Sequence, residues 1–282
     1  MNYRHGFHAG NFADVHKHVT LSRILVHLGG KPAPFRVLDT HAGAGLYDLC
    51  SEEAGRTGEW RLGIGRLSAH AFAAEVAALL APYLQAVAKV NPAQALGRYP
   101  GSPLVCRALM RPSDRLVACE LHPAEAAELV KRLGRGRHAK AIAIDGWTAL
   151  NAYVPPPERR GLVLIDPPYE ESDEFERLAA ALIRVRRKWP TGIYLAWYPI
   201  KDRAGPDGLA EKLSAAQIPK ILRSELSVGR SREGRLEASG LLVVNPPWRL
   251  EAELSLLVPA LVAAMQQGDG ACARLDWLGR AG

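Results

Sequence analysis

Cysteine is scarce in this chain of 282 residues, which contains four cysteines and no C-x-x-C pairing. They stand at Cys50, Cys106, Cys119 and Cys272. A disulfide framework or a structural zinc site needs cysteines at short, regular spacings. The sequence therefore predicts neither a disulfide-stabilised fold nor a cysteine-based metal site.

Long apolar runs are also absent. No stretch reaches the roughly 20 apolar residues that a membrane-spanning helix needs. The first residues, with Arg4, His5 and His8, lack the apolar core of a signal peptide. We therefore expect a cytoplasmic protein with no membrane partner.

Acidic residues are the minority charge, because 36 Lys and Arg stand against 29 Asp and Glu, giving a formal net charge of +7. This balance favours a polyanionic partner, although a basic protein without such a partner has the same composition. Basic runs lie at residues 131–140, 159–160, 184–188 and 230–235. A single run is more often a solvated helix face than a binding site, but together they suit phosphate contacts.

The most informative segment is Asp166-Pro167-Pro168-Tyr169, which directly follows the apolar run 161–165. In parallel α/β folds such a strand end lies at the edge where ligands bind. An exocyclic amino group is a poor nucleophile, so a methyl-transfer site must localise its lone pair and accept its proton. The Asp166 carboxylate and the Pro167 carbonyl are suitable acceptors, and the Tyr169 ring can stack on a flipped base. The alternative interpretation is an ordinary strand-to-helix turn.

Three earlier β-rich runs have the pattern of strands in the same sheet. They are residues 35–39, 115–119 and 141–144, and they lead into the loop 40–45, into Glu120 and into Asp145-Gly146. Successive strands that end in an acid indicate one edge of a parallel sheet, with Glu120 where an acid grips ribose hydroxyls. The loop 40–45 has G-x-G spacing without the third glycine of a dinucleotide fingerprint. A nicotinamide dehydrogenase is therefore a remote alternative, which also leaves residues 166–169 without a role.

Longer motifs run in order through nearly the whole chain. They are Tyr3-Arg4-His5-Gly6-Phe7-His8-Ala9-Gly10-Asn11, Asp14, Lys17-His18, Leu38-Asp39-Thr40-His41-Ala42-Gly43-Ala44-Gly45, Tyr99-Pro100-Gly101-Ser102-Pro103, Glu120-Leu121-His122-Pro123, Asp145-Gly146, Ile165-Asp166-Pro167-Pro168-Tyr169-Glu170 and Asn245-Pro246-Pro247-Trp248. In these motifs the chain resembles the RlmJ family, bacterial methyltransferases that modify the N6 of one adenine in 23S ribosomal RNA.

This resemblance implies roles for the residues at matching positions. It implies Asp166 as the proton acceptor and Tyr3 as a substrate contact. The implied S-adenosyl-L-methionine contacts are His18, His41, Ser102, Glu120, Asp145, Gly146 and Asp166. The implied activity is S-adenosylmethionine-dependent methylation of adenine N6 in 23S rRNA, on naked or partly assembled RNA whose target base is first unstacked.

The segment 11–28 has the pattern of a helix, with Asn11 as its N-cap and Gly29-Gly30 as its stop. Histidines at positions 5, 8, 16 and 18 raise the question of a metal site. However, histidines at i and i+2 point to different faces of a helix, and no Glu or Cys completes a ligand set. We therefore predict no metal, and the resemblance implies instead that this region covers the cofactor and the base.

The predicted fold class is α/β, a Rossmann-like class I methyltransferase sheet with an antiparallel edge pair and an inserted helical subdomain. The segment between the glycine loop and Glu120 is longer than one β–α–β step needs, and its apolar residues recur at helical spacing. We assign residues 1–46 and 113–282 to the methyltransferase domain, with 1–30 as its N-terminal tail and helix. Residues 47–112 form the insertion, which either grips substrate or only fills space.

The second half of the chain completes the predicted sheet. Helices are expected at residues 173–189 and 250–265, the second with a kink at Pro259. The β-rich runs 221–228 and 240–244 predict the antiparallel pair.

Asn245-Pro246-Pro247-Trp248 is a rival for the catalytic motif, because Asn-Pro-Pro-aromatic segments also serve amino methylation in other families. It follows a strand far downstream of the glycine loop, and an amide cannot accept a proton as a carboxylate can. We interpret it as a wall of the site or a turn.

The residues leave other functions open. Asp-Pro-Pro-Tyr indicates an amino target but not its ring, so DNA adenine, or guanine or cytosine of another RNA, is the closest alternative. A non-catalytic RNA-binding factor is a further alternative that leaves the series of acids unexplained. A monomer is the default expectation.

Overall fold

The computed structural model describes residues 5–93, 95–134, 136–230 and 235–278. Its strands are β1 (Arg36–Asp39), β2 (Leu46–Asp48), β3 (Arg98–Pro100), β4 (Arg115–Glu120), β5 (Ala139–Ala143), β6 (Gly161–Ile165), β7 (Ile193–Ile200), β8 (Ile221–Ser227), β9 (Ala238–Val244) and β10 (Cys272–Leu278). Its α-helices are α1 (Phe12–Gly29), α2 (Glu52–Thr57), α3 (Arg66–Ala69), α4 (Ala74–Lys89), α5 (Ser102–Leu109), α6 (Pro123–Leu133), α7 (Gly146–Tyr153), α8 (Glu174–Lys188), α9 (Ala204–Ala215) and α10 (Leu250–Met265). A 3₁₀ turn at His5–Phe7 and a π-helical turn at Arg61–Gly65 complete this part of the chain.

In the described residues, eight strands form one sheet in the order β10-β8-β9-β7-β6-β1-β4-β5. The strands from β5 to β7 are parallel, whereas β9, β8 and β10 pair antiparallel. Parallel neighbours need crossover connections, which the helices supply. The predicted Rossmann-like α/β fold is confirmed.

The core lies on both faces of this sheet, because successive residues of a strand point to opposite sides. Val37 and Leu164 pack with buried residues of α1, α4, α5 and α10 on one face. Leu38 and Ile165 pack with α7, α8 and α9 on the other. The apolar strands at the centre are therefore buried on both sides, and functional side chains are left to the strand ends.

The prediction of a late antiparallel pair is confirmed for β8 and β9, but β10 and not β8 forms the edge. β10 pairs with β8 from Cys272 to Leu278. Its solvent side is polar, and Asp276 accepts a hydrogen bond of 2.8 Å from the Arg223 Nε. Because an edge strand needs little apolar surface, the segment lacks the pattern that identified the other strands.

Several helix boundaries agree with the predictions. The Asn11 side chain accepts a hydrogen bond of 3.0 Å from the Asp14 N–H as the N-cap of α1, and Gly30 is its C-cap. α10 has the predicted bounds and contains Pro259, and α8 differs by one residue at each end.

Between β1 and β4 the chain forms α2 to α5 and a separate two-stranded sheet of β2 and β3. This short sheet was not predicted. α4 and α5 pack against α1. The domain division at residues 46 and 113 stays a prediction.

Candidate functional site

Asp166 lies at the carboxyl edge of the sheet. All five residues of β6 are buried, and its last pair with β7 is Ile165 with Ala196, so Asp166 leaves the sheet one residue later. Asp39 ends β1 and Glu120 ends β4 at the same edge. The fold thus gathers carboxylates from strands that are far apart in sequence.

A cavity of about 550 Å³ opens at this edge. Its walls include these predicted site residues: His18, His41, Ser102, Glu120, Asp166, Pro167 and Tyr169. A second cavity of about 270 Å³ contains Asp145 and Gly146 and shares His41, Glu120, Pro168 and Glu170 with the first. The two cavities therefore adjoin, and all predicted cofactor residues lie along them.

Lys17 connects the start of α1 to Asp166. Its Nζ contacts Asp166 Oδ2 and lies 2.9 Å from Asp14 Oδ1, while Asp14 Oδ2 lies 2.8 Å from the His5 Nε2. Burial opposes the charge on Lys17, but the two carboxylates outweigh it and raise the pKa of Lys17 above its ordinary value. Burial also opposes the charge on Asp14, yet His5 and Lys17 hold the pKa of Asp14 well below its usual range. Lys17 is therefore a permanent cation bound to Asp166.

Asp39 and Ser102 form a buried pair at the base of the cavity. The Ser102 Oγ donates a hydrogen bond of 2.7 Å to Asp39 Oδ2, whereas Asp39 Oδ1 has no partner within the described residues. Asp39 is fully buried, and its burial raises its pKa to about 7. The pair holds the Ser102 hydroxyl at the first residue of α5, against the cavity.

Glu120 is held by two backbone N–H groups. Gly43 N donates to Oε2 at 2.8 Å and His122 N donates to Oε1 at 2.7 Å. Gly43 has a φ of 60°, and a Cβ there would lie 2.1 Å from the Tyr47 Oη, so a side chain does not fit. Each carboxylate oxygen keeps a second lone pair, which suits hydroxyl groups of a ligand.

His41 and Gly146 form the junction between the cavities. Thr40 Oγ1 donates to the Leu164 carbonyl at 2.9 Å and lies 2.7 Å from His41 Nδ1, so Nδ1 is the donor and Nε2 is left as an acceptor. Burial lowers the pKa of His41 to about 4, which keeps the ring neutral. A Cβ on Gly146 would lie 2.4 Å from the Thr40 carbonyl oxygen. Glycine there lets α7 begin directly against the loop after β1.

Asp145 is the N-cap of α7. Its Oδ2 accepts hydrogen bonds of 2.8 Å and 2.9 Å from the N–H and hydroxyl of Thr148. This fixes the carboxyl group beside the second cavity.

His18 lies deep in the wall of the cavity. Its Nδ1 lies 2.8 Å from the Tyr99 Oη, which is 3.0 Å from the Tyr83 Oη. Burial lowers the pKa of His18 to about 3, so it is neutral. This chain of hydrogen bonds attaches α1 to α4 and β3.

The Pro-Pro-Tyr turn forms the wall beside Asp166. Tyr169 has a φ of 52°, and its hydroxyl donates to the Trp197 carbonyl at 3.1 Å. Its ring lies 4.9 Å from that of Phe175 and 5.7 Å from that of Trp197. Tyr169 is thus held rigidly among aromatic side chains at the cavity.

The N-terminal histidines pair with other side chains. His8 Nδ1 lies 3.0 Å from Glu59 Oε2, and this hydrogen bond raises the pKa of His8. His16 is fully buried, and its Nε2 lies 2.8 Å from the Ser224 Oγ. Within the part of the chain that the structure describes, no three His, Cys, Asp or Glu side chains are grouped to hold a metal ion.

Tyr3 lies outside the described residues, and its substrate contact stays a prediction. Lys17, Asp39 and Trp197 belong to the site or support it but were not predicted as site residues. A lysine three residues after an acid on a buried face of α1 was the available signal for Lys17. Trp197 lies in an apolar strand and gave none.

Asn245 is not a wall of the site. β9 runs antiparallel to β7 and pairs Val244 with Tyr194, so Asn245 lies at the opposite edge of the sheet from Asp166. The Asn245 Nδ2 donates to the carbonyls of Pro190 at 2.8 Å and Gly192 at 2.7 Å. The interpretation as a turn is correct and the interpretation as a wall is wrong, because β9 reverses direction relative to β6.

Comparison with known proteins identifies the family of this chain. The family model described as ribosomal RNA large subunit methyltransferase D, RlmJ, matches residues 32–279. The chain belongs to the RlmJ family. Ribosomal RNA large subunit methyltransferase J of Escherichia coli K12 is 40% identical to it over 279 residues, covering 99% of each chain. The Haemophilus influenzae protein of the same name is 38% identical over 281 residues, again covering 99% of each.

A crystal structure supports the fold of this RlmJ-family chain. A Legionella pneumophila protein superposes with a TM-score of 0.87 at 34% identity, covering 95% of this chain and 98% of that one. The family predicted from the sequence and the enzyme class, methyltransferase, are confirmed.

Proposed function

We propose that this chain transfers a methyl group from S-adenosyl-L-methionine to the exocyclic N6 of an adenine in 23S rRNA. The observation that carries the proposal is the Asp166 carboxylate at the end of β6, followed by a rigid Pro-Pro-Tyr wall, in a cavity that His18, His41, Ser102 and Glu120 also line. The relatives named as large-subunit ribosomal RNA methyltransferases support the choice of RNA.

The adjoining cavities fit S-adenosylmethionine. Glu120 offers oxygens for ribose hydroxyls, and the second cavity, beside Asp145 and Gly146, is proposed to hold the flat ring of the cofactor. Ser102, His18 and His41 complete the proposed cofactor contacts. The larger cavity is lined by carboxylates, which suit the cationic sulfonium and ammonium groups of the cofactor. These carboxylates are Asp14, Glu59, Glu120, Glu125, Asp166 and Glu170. When bound, the cofactor supplies an electrophilic methyl group.

Asp166 is the proposed proton acceptor. Its Oδ2 is bound to Lys17, so Oδ1 is the oxygen left to accept a hydrogen bond from the amino group. The Pro167 carbonyl would accept the second N–H, which localises the nitrogen lone pair toward the methyl group. In methyl transfer the new carbon–nitrogen bond would form as the bond between the methyl carbon and the sulfonium sulfur breaks with its electron pair left on sulfur, and Asp166 would take up the proton that leaves the nitrogen. Lys17, permanently cationic, holds the carboxyl group in place.

Tyr169 is proposed to contact the face of the flipped base, since its ring is fixed at the cavity by Phe175 and Trp197. Tyr3 is proposed as a further substrate contact. The base must leave its stack to reach Asp166, which favours naked or partly assembled RNA as the substrate.

Monomeric state and cytoplasmic location stay predictions. In residues 5–93, 95–134, 136–230 and 235–278, no helix has both the length and the apolar character of a membrane span.

The test is transfer of labelled methyl from S-adenosylmethionine to deproteinised 23S rRNA, 16S rRNA and duplex DNA, with products digested to nucleosides. We expect N6-methyladenosine from 23S rRNA alone. Asp166→Asn should lower kcat by about 100-fold or more, because an amide cannot take up the proton.

Asp173→Asn is the matched control. Asp173 is exposed and makes no side-chain capping bond at the start of α8, so its variant should keep wild-type turnover. Label on DNA, guanosine or cytidine would contradict adenine of 23S rRNA as the target. It would still support methyl transfer to nucleic acid. Full turnover by Asp166→Asn would contradict the role of Asp166.

A further inference from the structure

Trp248 is unusually exposed for a tryptophan. It follows Asn245-Pro246-Pro247 at the edge of the sheet opposite Asp166, and 76% of its surface is open to solvent. Tryptophan is highly buried on average and is enriched at binding interfaces, so a tryptophan left this open favours a binding role. The reaction at Asp166 does not use it.

The segment 245–249, here called the Trp248 turn, is held rigidly. Asn245 has a φ of 53° and makes side-chain hydrogen bonds to the carbonyls of Pro190 and Gly192. Its N–H donates to the Lys220 carbonyl at 2.9 Å. Two successive prolines restrict the backbone that follows. The indole is therefore displayed at a fixed place, which lowers the entropy cost of binding.

One face of the indole already carries a cation. The Arg249 guanidinium lies 4.5 Å from the centre of the Trp248 ring. Because three quarters of the residue is exposed, the opposite ring face is open to a second flat partner. Nucleic-acid bases stack on such rings whatever their sequence.

The charged side chains near the Trp248 turn indicate which kind of partner binds there. Arg249 belongs to the turn, the Lys220 carbonyl accepts its Asn245 N–H, and Lys188 lies two residues before Pro190, to which Asn245 also bonds. These three side chains are exposed and form no ion pair within the described residues. Arg249 lies near His27, where, after burial, it adds to Arg160 and Lys31 in lowering the pKa of His27, so positive charge is also present at that position. Of the nearby acids, Glu253 is paired with Arg23, and Glu251 accepts a hydrogen bond from the Trp277 Nε1. A polyanion fits this surface better than a protein or a second copy of the chain.

We propose that the Trp248 turn is a second RNA-binding site, where an unpaired base of the substrate stacks on Trp248 and phosphates contact Lys188, Lys220 and Arg249. This rests on the proposed RNA substrate. By strand register Asp166 lies level with Trp197 and Asn245 level with Ile193, a separation of roughly 13 Å along the strands. The two contacts therefore engage different nucleotides, and the turn anchors RNA without taking part in methyl transfer.

Steady-state methylation of deproteinised 23S rRNA by the full chain tests the proposal. Trp248→Ala should raise KM for the RNA about tenfold, in line with the loss of one base stack, and leave kcat and KM for S-adenosylmethionine unchanged. Trp248→Tyr should retain most of the affinity, because a ring remains. Lys220→Ala should reduce the salt dependence of RNA binding by about one phosphate contact.

Val130→Ala is the matched control. Val130 is exposed on α6, which packs beside β5 at the far end of the sheet, and the variant should behave as wild type. The thermal unfolding midpoints of the variants show whether a higher KM comes from lost binding or from lost folding. If Trp248→Ala is unstable, Trp248→Tyr is used in its place.

The outcomes distinguish this proposal from the activity itself. If wild type methylates 23S rRNA and Trp248→Ala has the same KM, the second site is wrong and the proposed function stands. A dimer that Trp248→Ala dissociates would also overturn the RNA site in favour of a second copy. If wild type methylates no RNA, the proposed function is wrong, and the second RNA-binding site is wrong with it.

Discussion

Asp39 is an acid that the fold shields completely from water. Ser102 donates a hydrogen bond to its carboxyl group, and burial raises its pKa to about 7. In the unfolded chain a carboxyl of this type titrates near 4, so between roughly pH 4 and pH 7 the folded chain binds a proton that the unfolded chain has lost. The contribution of protonated Asp39 to the free energy of unfolding is fully present below pH 4. It is lost as the pH rises from 4 through 7.

We expect Asp39→Asn to gain stability relative to wild type as the pH rises from 4 to 7, by a few kcal/mol at most. The amide still accepts the Ser102 hydrogen bond and carries no charge to bury. Urea unfolding of both proteins at each pH measures the difference. A difference that stays constant over this interval would show that Asp39 remains ionised in the fold.

The start of α1 and the π-helical turn approach each other closely near the site. Gly63 lies against the residues that begin α1, and a Cβ on it would be 2.2 Å from the Gly10 carbonyl oxygen and 2.6 Å from the Asn11 carbonyl carbon. These are backbone atoms and cannot rotate away. The start of α1, and with it Asp14 and Lys17, is therefore placed by a glycine elsewhere in the chain.

Gly63→Ala should destabilise the chain by about 2 kcal/mol or more, through overpacking and through its unusual ψ of −107°. Gly55→Ala is the control, because Gly55 lies in α2 and a Cβ there has nothing within 4 Å. That variant should gain about 0.5–1 kcal/mol from helix propensity. Denaturant unfolding measures both, and equal effects would contradict the packing argument.

At the scale of the whole molecule, cofactor binding and folding are linked. A ligand at 100 times its Kd adds about 2.7 kcal/mol to the free energy of unfolding. S-adenosylhomocysteine should therefore raise the unfolding midpoint by roughly 5 °C. Glu120→Gln should lose most of this shift, because it removes the charge and one of the acceptor oxygens at the proposed ribose contact.

Differential scanning fluorimetry with and without S-adenosylhomocysteine measures this shift without any methyl transfer. Glu128→Gln is the control, since Glu128 is half-exposed on α6 and pairs with Lys131. If the unfolding midpoint of Glu120→Gln rises as much as that of wild type, Glu120 does not contact the ribose.

The strand ends were predictable, and the contacts between them were not. Glu120, Asp145 and Asp166 each follow a local apolar run, so their shared edge follows from the rules for parallel sheets. The contact of Lys17 with Asp166 joins residues 149 positions apart and depends on how α1 packs across the sheet. β2, β3 and β10 were missed because two are three residues long and the third is a polar edge strand.

The acidic lining of the larger cavity has a consequence for what can enter it. Among the described residues of its lining, six carboxyl groups stand against three Lys and Arg side chains, so negative charge is in excess there, and a phosphate carries the same sign of charge. A neutral base is not repelled in this way. With the proposed RNA substrate, we therefore expect the base to enter the cavity and the sugar-phosphate chain to pass across its mouth.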